Sequence, residues 1–141
     1  MFSKFLDALL KNPDERQIIE WSLQIARALK YMHSLPEFKM IHRDIKTENM
    51  ALNKEGILKL IDFGFSRKVT TIKMASTDNI GSPIYMAPEV FIPNCGYSEK
   101  CDNYSWALTF WRCLTNRVPF GEFRTRPELN AAKQDPKRTL S

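Results

Sequence analysis

The sequence predicts a mainly α-helical fold interrupted by one short β-hairpin. Residues 13–33 and 102–114 place apolar side chains at helical spacing, and the second stretch is apolar on several faces, as in a core helix. Between them, residues 50–53 and 57–61 read as two strands joined by a tight turn at 54–56. With 141 residues, the chain is long enough for one compact domain with its own core.

The first long helix has a recognisable start. Asn12 is a suitable N-cap, Pro13 suits the first helical position, and Glu15 lies three residues after Asn12, as in a capping box. Pro36 limits continuation of the helix. Apolar residues at helical spacing also predict a shorter amphipathic helix over residues 2–10. The inward stripe predicted for the long helix is Ile18, Ser22, Ile25, Ala26, Leu29 and Met32.

The remaining segments carry weaker structural signals. A stretch rich in Ser, Thr and Gly separates Gly64 from Pro88 and predicts a long loop. Loops of this length in compact domains are usually functional or disordered. From Arg124 onward the apolar pattern weakens, and the sequence supports no definite assignment there.

Composition argues against several classes of protein. The net charge of +5 reads as a solvated surface, and the basic residues lack the interleaved aromatics of a nucleic-acid patch. The three cysteines include no Cys-x-x-Cys pair, which disfavours a metal site or a disulfide framework and indicates a reducing compartment. No stretch has the length of a membrane span, and the first residues do not resemble a signal peptide. We therefore expect an intracellular, cytoplasmic protein.

Three motifs occur in a fixed order. They are His42-Arg43-Asp44-Ile45-Lys46-Thr47-Glu48-Asn49, Asp62-Phe63-Gly64 and Ala87-Pro88-Glu89. Together they resemble the eukaryotic protein kinase family. The eight-residue pattern is rare, and a strand–turn–strand followed by the two other motifs leaves chance a negligible explanation. The resemblance extends to about Phe120 and implies a kinase C-terminal lobe, with a partial kinase domain over residues 1–123 and a poorly matched tail over 124–141.

The resemblance implies a role for each polar residue of the motifs. Asp44 would orient the substrate hydroxyl and accept its proton, and Lys46 would reach the transferring phosphate of ATP. Asn49 and Asp62 would bind Mg²⁺, which prefers hard oxygen ligands. Because a hairpin brings its two ends together, we expect the strands between Asn49 and Asp62 to place both beside one another.

Other family positions are expected to support this site. His42 would pack against Phe63 of the Asp-Phe-Gly motif as a core histidine. Asp102 would hydrogen-bond the backbone of the catalytic loop, which is the motif of residues 42–49. The basis is that Asp102 to Ala107 is similar to a helix start of the family. Glu89 would pair with a later arginine, for which Arg138 is a weak candidate because it follows too soon after Phe120.

Residues 62–89 correspond to the activation segment of the family. Arg43 directly precedes Asp44, the arrangement that reads an activation-loop phosphate. A phosphate adds about −1.5 to −2 charge and could order the loop against Arg43 and Arg67 or Lys68. An ordinary polar loop remains an equal alternative for each hydroxyl residue. The candidate phosphorylation sites are Thr70, Thr71, Ser76 and Thr77.

Substrate class follows from Lys46. The pattern Asp-x-Lys-x-x-Asn resembles serine/threonine kinases, and the style of residues 81–86 and 102–120 resembles the tyrosine-kinase-like group, whose members mostly phosphorylate Ser and Thr. The implied partners are ATP, Mg²⁺ and a protein substrate, without nucleic acid. The sequence leaves the oligomeric state open.

The sequence leaves the activity of this chain open. It contains no Gly-x-Gly-x-x-Gly and no Val-Ala-Ile-Lys, the N-lobe elements that cover and align ATP. Ala51 also stands where many kinases place a larger apolar residue under the adenine. Three hypotheses remain: an active serine/threonine kinase, a truncated kinase-like module that acts by binding or as a scaffold, and a non-functional fragment.

Overall fold

The computed structural model describes residues 4–6, 14–69, 81–92, 96, 98–135, 137–138 and 140. Within these residues the chain forms three α-helices and two small antiparallel sheets. No helix in this described part is long and apolar enough to cross a membrane. The elements in chain order are β1 (Lys4–Phe5), α1 (Glu15–His33), β2 (Lys39–Ile41), β3 (Met50–Leu52), β4 (Leu58–Leu60), β5 (Arg67–Val69), α2 (Lys100–Thr115) and α3 (Arg126–Gln134).

Helix α1 is close to the predicted helix but starts differently. Its N-cap is Asp14, whose side chain accepts a hydrogen bond from the Arg16 N–H at 3.1 Å. Asn12 and Pro13 lie outside the described residues. The predicted inward stripe is confirmed at Ile18, Ile25, Leu29 and Met32, whereas Ser22 and Ala26 are only half-buried. The buried face instead includes an aromatic residue and consists of Ile18, Trp21, Ile25, Leu29 and Met32.

The predicted helix over residues 2–10 is wrong where the structure describes it. Lys4 and Phe5 form β1, which pairs antiparallel with β3 through Lys4↔Leu52 and Phe5↔Ala51. A helix this short is marginal by itself, whereas the edge of a hairpin offers backbone partners directly. Leu6 follows the strand and is fully buried in the core. The other residues of the predicted helix lie outside the described part of the chain.

The predicted hairpin is confirmed. Strands β3 and β4 pair antiparallel, with Met50 opposite Leu60 and Leu52 opposite Leu58. The Asn53 side chain closes the turn, because its Oδ1 accepts from the Ile57 N–H at 2.8 Å. Met50 and Leu58 are buried in the main core with the apolar faces of α1 and α2. The hairpin is therefore fixed to the helical layer.

Helix α2 confirms the predicted second long helix and begins two residues earlier, at Lys100. It packs on α1, and the indole N–H of Trp106 donates to the Ser22 carbonyl at 3.2 Å. Asn116 ends the helix in a left-handed conformation, with φ of 54°. The second sheet, formed by β2 and β5, was not predicted and pairs Lys39 with Val69 and Ile41 with Arg67.

Helix α3 lies in the segment for which the sequence supported no definite assignment. Thr125 and Glu128 form a reciprocal capping box, and Pro127 occupies the first turn. This Thr-Arg-Pro-Glu pattern is a start signal that sequence reasoning could have used. Leu129 and Ala132 bury one face of the helix against the rest of the chain.

Candidate active site

A single buried carboxylate anchors the loop that carries the kinase-like motif. Asp102 in the first turn of α2 is fully buried. Its Oδ2 accepts from the backbone N–H of His42 at 2.9 Å, and its Oδ1 accepts from that of Arg43, also at 2.9 Å. His33, at the end of α1, donates from Nε2 to Oδ2 at 2.9 Å. The expected contact between Asp102 and the loop backbone is present, and it reaches α1 as well.

The loop needs this anchor because its backbone is strained. Arg43 has φ of 71°, in the left-handed region that a bulky residue rarely adopts. Such conformations persist where the surroundings over-determine them and are concentrated at functional sites. The Arg43 side chain also contacts the segment after the Asp-Phe-Gly motif, because its Nε donates to the Phe65 carbonyl at 2.6 Å.

Asp44 lies at the centre of a polar network. Its Oδ2 accepts from the Asn49 amide at 2.8 Å and forms an ion pair with Lys46 at 2.9 Å. Its Oδ1 accepts from the backbone N–H of Ser82 at 3.0 Å. Burial by itself raises the pKa of Asp44, but the hydrogen bonds and charge of Lys46, with those of Asn49 and Ser82, hold the pKa below its ordinary value. The carboxylate is therefore ionised near neutral pH and can accept hydrogen bonds.

Lys46 connects the catalytic loop with the segment that precedes the Ala-Pro-Glu motif. Its Nζ donates to the Ser82 hydroxyl at 2.9 Å while it pairs with Asp44. This approach requires a glycine before Ser82. Gly81 has φ of 101°, and a Cβ there would lie 2.7 Å from the Arg43 carbonyl oxygen. Gly81 and Ser82 are therefore site residues that sequence reasoning missed, because only the tertiary contact reveals their role.

Asn49 lies beside the backbone that leads into Asp62, at the end of the hairpin. The backbone N–H of Ile61, which precedes Asp62, donates to the Asn49 carbonyl at 2.9 Å. Asn49 directs its amide nitrogen at Asp44, so that its amide oxygen points elsewhere as an acceptor. Asp62 is exposed, has φ of 59°, and uses Oδ1 to accept from the Gly64 N–H at 3.1 Å.

The chemistry of this donor pair suits Mg²⁺. One amide oxygen and one carboxylate are hard ligands, and Mg²⁺ usually takes few protein ligands together with water and substrate phosphates. Among the residues that the structure describes, no group of three or more His, Cys, Asp and Glu is placed to hold a metal by itself. Asn49 and Asp62 would supply two protein ligands to such a metal, and water and substrate phosphates would supply the others.

His42 joins the catalytic loop to the Asp-Phe-Gly motif. Its ring lies 5.0 Å from that of Phe63 in an edge-on arrangement, the contact that the resemblance implies. Its Nε2 donates to the Ile61 carbonyl at 3.1 Å, and the ring is fully buried. Burial lowers the pKa of His42, against the opposing charge of Asp102, so that the ring is neutral near pH 7.

The other predicted positions are placed as follows. Glu89 is half-buried in the 3₁₀ turn Pro88–Phe91. The considered partner Arg138 instead forms an ion pair with Glu122 at 2.6 Å. The candidate phosphorylation sites Thr70, Thr71, Ser76 and Thr77 all lie outside the described residues.

His33 is a further residue that sequence reasoning missed. It lies 69 positions from Asp102 in the chain, and no local pattern links the two. Thr109 adds a similar contact, since its hydroxyl is within 3.3 Å of the Ile45 carbonyl. The signal available in the sequence was only that Thr109 is a polar residue inside an otherwise apolar helix stretch.

Comparison with known protein families identifies the class of protein to which this chain belongs. The family described as protein kinase domain matches residues 3–139, so the chain belongs to the protein kinase domain family.

Among curated proteins, the chain is 42% identical over 105 residues to mitogen-activated protein kinase kinase kinase 7 of Homo sapiens, covering 74% of this chain and 17% of that protein. It is 41% identical over 103 residues to the Drosophila melanogaster protein of the same name, covering 72% of this chain and 15% of that protein. A "probable serine/threonine-protein kinase" of Dictyostelium discoideum is 36% identical over 107 residues, covering 76% and 7% of the two chains. The chain thus spans less than a fifth of the length of these relatives.

Proposed function

We propose that this chain is the C-terminal lobe of a serine/threonine protein kinase that transfers the γ-phosphate of ATP to a Ser or Thr hydroxyl of a protein. The observation that carries the proposal is the environment of Asp44. Its buried carboxylate is ionised and fixed by Lys46, Asn49 and Ser82. A fixed acceptor of this kind suits a group that orients a hydroxyl and receives its proton.

The neighbouring residues have complementary tasks. Lys46 pairs with Asp44 and keeps a cation beside the place where a substrate hydroxyl would lie. ATP with Mg²⁺, when bound, supplies the transferable phosphate and neutralises its charge. Asn49 and Asp62 are the residues that would hold the metal. Because phosphoryl transfer depends on positioning and electrostatics, these four side chains supply what the protein must contribute in this lobe.

Substrate class is supported by Lys46 and by the relatives. The Asp44-x-Lys46 spacing is that of the serine/threonine-type catalytic loop in the resemblance, and the Dictyostelium relative carries serine/threonine kinase in its name. The similarity to mitogen-activated protein kinase kinase kinase 7 agrees with the tyrosine-kinase-like group. Cells with a reducing interior remain the proposed setting, because the three cysteines of the sequence include no Cys-x-x-Cys pair.

The test purifies the protein that contains this chain in its source cells. The purified protein is then incubated with Mg²⁺, radiolabelled ATP and a generic protein substrate. Asp44→Asn keeps the shape of the side chain and removes its basic oxygen. We expect a fall in phosphate transfer of about 100-fold or more, since a positioned general base contributes about 10²–10⁴-fold. The matched control is Asp135→Asn, the same change at an exposed residue in the cap of α3.

Two outcomes contradict the proposal in different ways. Transfer that persists in the Asp44→Asn protein shows that the activity does not belong to this site. No transfer by the wild-type protein, with ATP and substrate still bound, favours the binding or scaffold module. Phosphoamino-acid analysis of the product tests substrate class separately, and label on tyrosine alone would contradict the serine/threonine assignment.

We also propose that phosphorylation of the activation segment regulates this site. The support is that Arg43 and Phe65 connect the catalytic loop with the start of that segment. A phosphate on Thr70, Thr71, Ser76 or Thr77 would add negative charge to the segment that also carries Arg67 and Lys68 and that contacts Arg43 through Phe65. Replacing all four hydroxyl residues by alanine should lower the activity of the full protein, and unchanged activity would contradict the regulatory role.

A further inference from the structure

Lys133 on α3 places its ammonium among backbone carbonyls of a different segment. Its Nζ donates to the carbonyl oxygens of Pro83 at 2.7 Å, Ile84 at 2.8 Å and Met86 at 2.5 Å. Three donors on one ammonium thus meet three acceptors that lie close together in the chain. Backbone carbonyls in irregular structure need partners when water is excluded, and Lys133 supplies them.

Aromatic rings surround the same ammonium. The Nζ lies 5.3 Å from the ring centre of Phe91, 5.5 Å from that of Tyr104 and 5.4 Å from that of Phe120. Each ring offers a negatively polarised face to a cation within this range. These rings come from the 3₁₀ turn Pro88–Phe91, from α2 and from the segment before α3. A lysine so enclosed is unlike a solvated surface lysine.

The segment that Lys133 binds is the one that contacts the catalytic residues. Residues 82–86 form a tight turn in which the Tyr85 N–H donates to the Ser82 carbonyl at 2.9 Å. Ser82 at its start donates its backbone N–H to Asp44 and accepts from Lys46 through its hydroxyl. The opposite side of the turn is held by α2, because the Ser105 hydroxyl donates to the Tyr85 carbonyl at 2.8 Å.

We propose that Lys133 is a positioning residue that fixes residues 82–86 between α2 and α3 and, through Ser82, sets Asp44 and Lys46 for a protein substrate. The inference rests on the proposed function of that site. A substrate hydroxyl that reaches Asp44 must pass beside this turn, so the turn also limits where the substrate backbone can lie. Loss of Lys133 should therefore affect the protein substrate more than ATP.

The attachment of residues 82–86 to Lys133, called the tether from here on, can be tested without measuring phosphate transfer. Amide hydrogen exchange of the wild-type protein is compared with that of Lys133→Met, which keeps the length of the side chain and removes the donors. The comparison is made at about pH 6, below the pKa of about 7 that burial gives Lys133, so that the ammonium form is present. We expect peptides covering residues 81–92 to exchange about tenfold faster or more, because hydrogen bonds from a charged donor are stronger than neutral ones. Peptides from α1 should be unchanged. The matched control is Lys30→Met, at an exposed lysine of α1.

Two results would overturn the tether. One is wild-type exchange over residues 81–92 in Lys133→Met. The other is equal acceleration in every element, which would make Lys133 a general structural residue. If Lys133→Met does not fold, Lys133→Gln takes its place with the same expected result, since Gln keeps a neutral NH₂ donor but loses the charge.

Kinetics of the active full-length protein then test the positioning role. Lys133→Met should raise KM for the protein substrate, and it should leave KM for ATP within about twofold. A purely structural defect would reduce the active fraction and change neither KM, which would contradict the role. If the wild-type protein transfers no phosphate, the proposed function fails. The exchange experiment still shows whether Lys133 fixes residues 82–86.

Discussion

Replacing Asp102 by asparagine should destabilise the fold far more than an exposed charge substitution does. Asp102 is fully buried and accepts from three donors: the backbone N–H groups of His42 and Arg43, and Nε2 of His33. Asparagine has one acceptor oxygen and one NH₂ donor in place of two acceptor oxygens. At least one backbone N–H would therefore face another donor, without a partner and away from water.

The expected magnitude follows from these contacts. An unsatisfied buried N–H costs about 1–3 kcal/mol, and a hydrogen bond to a charged group loses about 1 kcal/mol when the charge is removed. With one lost partner and two weakened bonds, the free energy of unfolding should fall by roughly 3–5 kcal/mol. That is a large part of the total stability of about 5–15 kcal/mol that native domains have.

Urea unfolding followed by tryptophan fluorescence measures this change, since Trp21 and Trp106 report on α1 and α2. With a slope of about 2 kcal/mol per molar urea, the midpoint should fall by about 2 M and the slope should not change. The matched control is Glu99→Gln, three residues before Asp102. It breaks the 2.7 Å ion pair of Glu99 with Lys39 near the surface and should lower the free energy of unfolding by less than about 1 kcal/mol. A cost for Asp102→Asn as small as that of Glu99→Gln would refute the anchoring role.

Three further changes test other parts of the structure. Gly81→Ala should cost about 1–3 kcal/mol of stability in urea unfolding, because of its φ of 101° and the Cβ clash with the Arg43 carbonyl; a neutral result would contradict the close approach. Asp14→Ala should cost about 0.5–2 kcal/mol through the lost N-cap of α1, as measured by thermal unfolding in circular dichroism. Burial lowers the pKa of Lys133 to about 7, so the ammonium that binds the three carbonyls is the prevailing form below that pH and the neutral amine above it. The unfolded chain keeps this lysine charged up to about pH 10.5, so the stability that the neutral form contributes is fully present above about pH 10.5 and is lost as the pH falls through 7. The stability of the wild type relative to Lys133→Met should therefore rise between pH 7 and 9 by up to about 1.4 kcal/mol per pH unit, with Tyr104 neutral throughout because burial raises its pKa to about 12; a flat difference would contradict the lowered pKa of Lys133.

The sequence predicted those parts of the fold that local patterns determine. The hairpin 50–61 and the helix over residues 102–114 appear where expected, because strand alternation around a glycine turn and a dense apolar run are local signals. The contact of His42 with Phe63, which the resemblance implies, is present as well. The missed helix α3 also carried a local signal, the capping box of Thr125 and Glu128.

Other features depend on contacts between distant residues and could not be read from the chain. The pairing of β1 with β3 requires a hairpin edge 46 positions away from Phe5, at Ala51, which no periodicity in residues 2–10 reveals. The left-handed backbone of Arg43 contradicts the local preference of a bulky residue and is imposed by the surrounding contacts. The approach of Gly81 to the Arg43 carbonyl is of the same kind.

The distribution of buried polar residues explains why the site and the fold are connected. Burying a polar group costs free energy unless it is hydrogen-bonded, so an interior chosen for stability alone would keep such groups rare and scattered. In the described part of this chain the buried polar residues fall into two segments that face one another. The catalytic loop contains His42, Asp44, Thr47 and Asn49, and one face of α2 contains Asp102, Ser105 and Thr109.

The α2 members of this set bind backbone groups of the loops that surround Asp44. Asp102 accepts from the catalytic loop, Thr109 contacts the Ile45 carbonyl, and Ser105 binds the Tyr85 carbonyl. An apolar α2 face would pack equally well but would leave the irregular backbone of both loops without partners. Polar groups in a core that work against local preference are expected at functional sites. The polar face of α2 is therefore best understood as the support that holds Asp44 in place, and this is why a change at Asp102 should disturb stability and the site together.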